Sequence, residues 1–198
     1  MIAAPMTVRP VPFLQWDDQT LDCLLPLERA PAAEWIPDNV MFAGAAESRQ
    51  SLYDLAAYPW QVGVLEAYDD PRVRRITLLW GTRLGKTALE TAILVHRASQ
   101  DPGPTLVGCP DQGLAERVAE NKIIPALLAS DATRGLLPPE HRRQRLEIDL
   151  ARMKIWFAWS GSASRLGELS ASLIIKQEID KWTRDATGEA DPSALIEE

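Results

Sequence analysis

Residues 80–87 read WGTRLGKT and lie between the apolar run 76–79 and a stretch with helical spacing. In this pattern Gly85 lets backbone N–H groups approach the β-phosphate of a nucleotide, Lys86 reaches the β and γ oxygens, and the Thr87 hydroxyl ligates Mg²⁺. A helix that begins here adds the partial positive charge of its N-terminus. The segment therefore predicts a phosphate loop that binds ATP together with Mg²⁺.

The loop departs from the usual spacing, because Trp80 stands at the first position where glycine is common and Gly81 comes one residue later. The remaining loop residues expected to line the phosphates are Thr82, Arg83, Leu84 and Gly85. The alternative is a strand–turn–helix junction that uses Gly85 only for its freedom in φ. A strand predicted before the loop and a helix after it favour the phosphate loop.

A second group of residues is needed for hydrolysis, namely an acid that holds Mg²⁺ through water and a carboxylate that orients the attacking water. The apolar strand 173–176 leads into Gln177 and Glu178. Glu178 occupies the place of the water-orienting carboxylate, whereas Gln177 stands where the magnesium-side acid is expected and makes a weak metal position. Glu178 has two other interpretations, a surface acid or a replacement metal ligand with Asp180 in a different role.

The composition suits a folded domain rather than a disordered chain, with 46% hydrophobic residues in 198. The chain has no apolar run of about 18 residues and no leader at its N-terminus, which predicts a cytoplasmic protein without membrane contact. Cys23 and Cys109 lack the spacing of a metal site, so reduced thiols are expected.

Charge is unevenly distributed along the chain. The net charge is −7, yet residues 71–184 hold 18 lysines and arginines against 12 acidic residues, a balance of +6. The densest basic cluster, residues 141–145, is suited either to a phosphate backbone or to a solvated connecting loop.

Hydrophobic periodicity places strands and helices in alternation, which predicts an α/β fold with a parallel sheet and the phosphate loop at its carboxyl edge. Residues 1–54 are rich in proline and predict an extended, irregular arm with one short helix around 17–25. Beyond them, the pattern predicts helices at 59–68, 86–99 and from Asp111 to a break at Pro125. It predicts strands at 74–80 (buried on both faces), 105–108 and 173–177, and a hairpin of 145–150 with 153–159.

Residues 55–198 together resemble the ATPase domain of phage terminase large subunits of the GpA-like type. The shared features are Tyr58-Pro59-Trp60-Gln61 before a helix, Asp70-Pro71-Arg72-Val73, the loop ending Gly85-Lys86-Thr87, Asp101-Pro102-Gly103-Pro104, Cys109-Pro110-Asp111, the Ser/Gly-rich segment 161–172 and Glu178-Ile179-Asp180-Lys181. The resemblance implies a RecA-like or helicase-like P-loop NTPase sheet with flanking helices. It also implies an ATPase motor that drives double-stranded DNA into a procapsid.

The resemblance further implies roles for single residues. Lys86 and Thr87 would hold the phosphates and Mg²⁺, and Glu178 would orient water. The segment 58–61, with Tyr58 and Gln61, would contact adenine, and Arg83 would stabilise charge in the transition state. The implied partners are double-stranded DNA, the small terminase subunit, the portal protein and further copies of the chain, in the cytoplasm of the host.

In such proteins a nuclease domain follows the ATPase domain, so we expect a chain that ends at Glu198 to be truncated, a split subunit or a remnant. Gln177 favours an alternative function, a catalytically silent nucleotide-binding module that contacts other terminase or portal subunits.

Overall fold

The computed structural model describes residues 29–43, 50–162 and 170–182 of the chain. Within these residues, strands and helices form a mixed α/β structure. The helices are α1 (Ala32–Asn39), α2 (Val62–Asp69), α3 (Lys86–Gln100), α4 (Gln112–Val118), α5 (Ile124–Ala129) and α6 (Asp131–Arg134). The strands are β1 (Met41–Ala43), β2 (Gln50–Leu52), β3 (Thr105–Cys109), β4 (Glu147–Leu150), β5 (Met153–Trp159) and β6 (Leu173–Lys176).

The main sheet has the strand order β4-β5-β3-β6 in the described part of the chain. Strand β3 pairs in parallel with both β5 and β6, so that Thr105 lies opposite Ile155 on one side and Leu173 on the other. Strands β4 and β5 form an antiparallel hairpin that turns between Leu150 and Met153. The predicted strands at 105–108 and 173–177 and the predicted hairpin are therefore confirmed.

Helix α3 forms the centre of the core. It begins at Lys86, as the sequence predicts, and its residues from Thr91 to Ala98 are all buried. The helix packs with α1 and α5 in the main hydrophobic cluster. Helix α3 begins directly after the loop 80–85. Its packing in the core therefore holds the end of the loop in place.

The segment after β3 shows the predicted cap and the predicted break. The Asp111 side chain accepts a hydrogen bond of 2.8 Å from the Leu114 N–H and caps α4. A wide π-helical turn, Ala119–Ile123, separates α4 from α5. Pro125 explains the wide turn, because proline lacks an N–H and its ring clashes with the carbonyl four residues earlier in a regular helix.

The predicted strand at 74–80 is wrong. These residues form no strand in the structure, and residues 71–77 are exposed rather than buried on both faces. Leu78 and Trp80 pack against the core, while Leu79 is 95% exposed. An apolar run becomes a buried strand only when neighbouring strands supply hydrogen bonds on its edges, and among the described residues no strand pairs with this segment.

The expected extended arm at 1–54 contains regular structure in its described part. Helix α1 buries Ala32 and Ile36, and β1 pairs with β2 in an antiparallel ladder that sets Met41 opposite Leu52. Pro31 precedes the first turn of α1, where a missing N–H has no cost. The prolines in this segment were therefore wrongly interpreted as evidence against regular structure. The helix expected around 17–25 lies outside the described residues.

Ion pairs and hydrogen bonds hold the segment before α1 against the core. Arg29 lies 2.7 Å from Asp69 and 3.3 Å from Asp101, and the Asp69 carboxylate also accepts the Ala32 N–H at 2.6 Å. His96 lies beneath this group, and its Nε2 atom is 2.8 Å from the Ala30 carbonyl oxygen. We call Arg29, Asp69, Asp101, Ala30 and His96 the Arg29 clamp.

The His96 ring is fully buried between the rings of Trp35 and Tyr68. Burial lowers the pKa of His96; the Arg29 charge lowers it further, whereas the Ala30 carbonyl, Asp69 and Asp101 act in the opposite direction. The folded protein therefore favours the neutral ring, with Nε2–H as a donor to Ala30.

We expect the free energy of unfolding to fall as the pH is lowered below about 6.5, the usual histidine value, because the unfolded chain takes up a proton that the folded chain resists. The fall continues down to the lowered pKa of the folded state, with a slope of up to about 1.4 kcal/mol per pH unit. Denaturant titrations at several pH values should show this contribution as the difference in slope between the parent chain and His96→Gln, which keeps a donor but does not titrate. The difference is the measured quantity because the raised pKa of Glu90 gives both chains a contribution of opposite sign in the same pH range.

The matched control is His141→Gln at an exposed position. An equal pH slope in His96→Gln and the parent chain would contradict the assignment of a neutral His96.

Candidate nucleotide-binding site

The loop 80–85 has the backbone shape of an anion-binding turn. Arg83 and Gly85 have positive φ angles of 63° and 82°, while Leu84 between them does not. Alternation of this kind turns successive N–H groups toward one side of the backbone, where they bind anions. The Lys86 ammonium donates to the carbonyl oxygens of Trp80 at 2.7 Å and Gly81 at 2.9 Å, which holds its charge at the loop.

Gln61 supports the loop from behind. Its side chain is fully buried, accepts a hydrogen bond from the Tyr53 hydroxyl and donates to the Leu84 carbonyl at 3.4 Å. A Cβ atom at Gly85 would lie 2.7 Å from the Gln61 Nε2 atom, so the loop needs glycine there for space as well as for φ. Both ends of the Gln61 amide group are therefore bound to protein, to the Tyr53 hydroxyl and to the Leu84 carbonyl of the loop.

An apolar recess lies beside the loop. Trp60, Trp80 and Leu84 line it, and its volume is about 300 Å³. The Tyr58 ring meets the Trp60 ring edge to face, with centroids 5.5 Å apart. Trp60 is 46% exposed, which leaves aromatic surface open to a ligand next to the phosphate loop. The segment expected to contact adenine, residues 58–61, includes Tyr58 and Trp60, whereas Trp80 was not expected in this role.

Gln177 joins the end of β6 to helix α3. Its Nε2 atom donates to the Glu90 carboxylate at 2.7 Å, and the Cys109 thiol lies 3.8 Å from its Oε1 atom. Its backbone is equally engaged, since the N–H donates to Gly108 at 2.9 Å and the carbonyl accepts the Trp182 indole N–H at 2.9 Å. The side chain is therefore fixed in one orientation, with its donor toward Glu90.

Glu90 is the acid that the sequence analysis missed. Burial raises its pKa to about 7, and the negative charge of Glu178 contributes in the same direction. The Gln177 hydrogen bond and the Lys86 charge act in the opposite direction. These interactions bring Lys86, Glu90, Gln177 and Glu178 into one electrostatic environment, although Lys86 and Glu178 are distant in sequence.

Cys109 ends β3 within the same environment. Its thiol is buried, and burial raises its pKa to about 12, with Glu90, Asp111 and Glu178 adding to the effect. A thiol with such a pKa remains protonated and unreactive at neutral pH. Cys109 thus acts as a small packing residue behind Gln177, as expected for a reduced cysteine.

Glu178 follows Gln177 in a strained backbone conformation. Its φ and ψ angles are 47° and 50°, in the left-handed region that residues other than glycine rarely adopt. Its carboxylate is exposed and lies 2.8 Å from the Lys181 ammonium. Strain of this kind costs of order 1–3 kcal/mol and is found mainly at functional sites.

The donor set near the loop suits Mg²⁺ bound with a nucleotide rather than Mg²⁺ bound alone. Among the described residues, no group of three His, Cys, Asp or Glu side chains forms a metal cluster. Mg²⁺ commonly uses one or two protein oxygens and completes its shell with phosphate oxygens and water. The Gly85 turn, Lys86, Thr87 and the two acids Glu90 and Glu178 fit that requirement.

A protein-family model described as phage terminase large subunit gpA, ATPase domain, matches residues 48–198. The chain belongs to this family. The match implies a DNA-packaging role and use of a nucleotide for this terminase ATPase domain. No curated protein and no solved structure matches the chain. No described helix of the terminase domain has the length and apolar character of a membrane span.

One signal in the terminase sequence could have revealed Glu90. It lies four residues after Lys86, the spacing that puts two side chains on one face of a helix. The spacing alone is weak, because the same spacing is common for ion pairs on exposed helices. Only the fold shows that the end of β6 meets this face.

The strained backbone at Glu178 generates a stability prediction. Glu178→Gly should raise the free energy of unfolding by about 1 kcal/mol over Glu178→Ala, because glycine adopts the left-handed conformation without a Cβ clash. Both variants lose the Lys181 ion pair, so their difference isolates the backbone. Urea denaturation followed by tryptophan fluorescence measures it, and equal stability of the two variants would rule out the strain.

Proposed function

We propose that this chain is the ATP-hydrolysing motor domain of a phage terminase large subunit and that it drives double-stranded DNA into a procapsid. The main support is the hydrogen bond of 2.7 Å between Gln177 and Glu90. It ties the helix that begins at Lys86 to the strand that ends before Glu178, so one ligand can meet both. The family match to the ATPase domain agrees with this function.

The proposed roles follow from the chemistry of each group. The turn at Arg83 and Gly85 binds the β-phosphate through backbone N–H groups, and Lys86 neutralises charge on the β and γ oxygens. The Thr87 hydroxyl would ligate Mg²⁺, whereas Gln177, the weak metal position, uses its amide to donate to Glu90. Bound Mg²⁺ supplies charge neutralisation on the phosphate oxygens.

Two further groups complete the proposed site. Glu178 accepts a hydrogen bond from the attacking water and orients it toward the γ-phosphate, and Arg83 stabilises the charge that develops on the phosphoryl oxygens. The base of ATP occupies the apolar recess against Trp60 and Trp80, with Tyr58 at its edge. Gln61, which was expected to contact adenine, is fully buried and supports the loop through the Leu84 carbonyl instead.

We further propose a RecA-like or helicase-like arrangement of the complete domain. The parallel pairing of β3 with β5 and β6, with α3 leading from the loop, is compatible with it. The proposed partners are double-stranded DNA, the small terminase subunit, the portal protein and further copies of this chain, in the host cytoplasm. The proposed ATPase domain comprises residues 55–198, and α1 from the preceding segment, residues 1–54, packs on its core.

A second candidate function is a nucleotide-binding module that assembles with other terminase subunits without hydrolysis. Gln177 is the observation that favours it, because its amide replaces the acid expected at the strand end. Phosphate release in the presence of double-stranded DNA separates the two. Nucleotide binding without any release, even with DNA added, would select the silent module.

Lys86 provides the direct test of the nucleotide site. Lys86→Ala should weaken ATP binding roughly 10- to 100-fold, because a hydrogen bond to a charged group contributes about 1.5–3 kcal/mol. Calorimetry with Mg²⁺ and ATP measures the change, and a phosphate-release assay measures turnover. The matched control is Lys122→Ala, since Lys122 is an exposed lysine on the π-helical turn. Equal affinity in Lys86→Ala and the parent chain would refute the proposed site.

The basic cluster at residues 141–145 provides a test of DNA binding. Arg142 and Arg145 are exposed, and Arg145 lies 3.5 Å from Glu120 in a weak surface pair. If both arginines contact phosphates, Arg142→Gln with Arg145→Gln should reduce the slope of log affinity against log salt by about 2. Fluorescence anisotropy with a labelled duplex measures the slope.

The control for the DNA measurement is Arg72→Gln, because Arg72 is an exposed arginine outside the cluster 141–145 and is paired with Asp70 at 2.7 Å. A salt slope that is the same in the double variant and in the parent chain would assign residues 141–145 to a solvated loop.

A further inference from the structure

Gln177 stands where the magnesium-side acid is expected, but its side chain contacts other protein groups. The Gln177 amide donates to the Glu90 Oε2 atom at 2.7 Å, and its own oxygen faces the Cys109 thiol at 3.8 Å. Gln177 is only 7% exposed. Its polar atoms are therefore committed to protein partners, and its oxygen faces into the core rather than toward the loop.

Glu90 occupies a position from which it can replace that acid. It follows Lys86 by four residues and Thr87 by three, so all three side chains share one face of α3. One carboxylate oxygen, Oε2, accepts the Gln177 amide, and no other described residue donates to Glu90. Among the described residues, the Oε1 atom therefore has no hydrogen-bond donor and can accept a water molecule or a cation.

We propose that Glu90 supplies the magnesium-side carboxylate of this site and that Gln177 is the positioning residue that holds it. This inference rests on the proposed function, because it concerns the same nucleotide site. Magnesium sites that contain a nucleotide need few protein carboxylates, since the phosphates provide most of the charge. One carboxylate contributed by α3 instead of β6 meets this need.

The pair also explains why position 177 carries an amide. An aspartate at 177 would set a second carboxylate against Glu90, and two like charges at hydrogen-bond distance disfavour ionisation of both. Glutamine keeps the contact and adds a donor. In this proposal the site has one carboxylate, Glu90 on α3, and the end of β6, where the acid is expected, carries the Gln177 amide.

The test measures how much Mg²⁺ strengthens ADP binding. A fluorescent ADP is titrated into each variant, once with excess MgCl₂ and once with EDTA, and the ratio of the two Kd values is the Mg²⁺ gain. Glu90→Gln should reduce this gain roughly 10- to 100-fold, the usual effect of removing a group that orients a metal's ligands. Binding in EDTA should change less than twofold, because the Lys86 contacts remain.

A double variant distinguishes a specific loss of the Mg²⁺ gain from a general disturbance of the fold. Glu90→Gln combined with Gln177→Asp returns the carboxylate to β6 and the amide to α3, and it should restore the Mg²⁺ gain. Gln177→Asp alone should not increase the gain above that of the parent chain. Electron paramagnetic resonance of MnCl₂ with ADP gives a second readout, since bound Mn²⁺ should be lost in Glu90→Gln and recovered in the double variant.

The matched control is Glu66→Gln, an exposed glutamate on α2, which should leave the Mg²⁺ gain unchanged. Thermal unfolding of every variant checks the fold, and the double variant carries the test if Glu90→Gln does not fold. An unchanged Mg²⁺ gain in Glu90→Gln would overturn the inference and leave the proposed function intact. Absence of ADP binding by the parent chain in both buffers would instead overturn the proposed function, and the inference with it.

Discussion

The hydrogen bond between the Gln177 amide and the Glu90 carboxylate joins the two halves of the site. One half is the loop that ends at Lys86, which is held by the N-terminus of α3. The other half is the end of β6, which is held by the parallel ladder with β3. Because β6 begins more than 80 residues after Lys86, no local interaction can align these halves, and the contact at 2.7 Å joins them directly through their side chains.

Several costly arrangements occur together at this carboxyl edge of the sheet. Arg83 and Glu178 have left-handed backbone conformations, and Glu90 has a pKa raised by burial. Each arrangement lowers stability, and each persists because a well-packed core over-determines it. The opposite edge contains ordinary structural contacts, such as the Arg97 guanidinium donating to the Ser172 hydroxyl at 2.6 Å. This asymmetry is typical of a sheet that uses one edge for chemistry.

The sequence analysis predicted the elements whose signals are local. Helix α3, the Asp111 cap, the break at Pro125 and the β4–β5 hairpin all follow from caps, prolines and short-range periodicity. The segment 74–80 was predicted wrongly, because an apolar run does not reveal whether neighbouring strands exist to pair with it. Glu90 was missed for a related reason, since its environment is made by residue 177 and not by its own helix. Long-range contacts of this kind cannot be read from spacing alone.

The burial of α3 has a mechanical consequence. The helix has 15 residues and spans about 22 Å at 1.5 Å per residue, with the phosphate loop at one end and Arg97, paired with Asp101, at the other. Its residues from Thr91 to Ala98 are buried without interruption, so this stretch has little room to bend. The Arg29 clamp lies at that far end. Helix α3 therefore fixes the distance between the loop and the segment preceding α1.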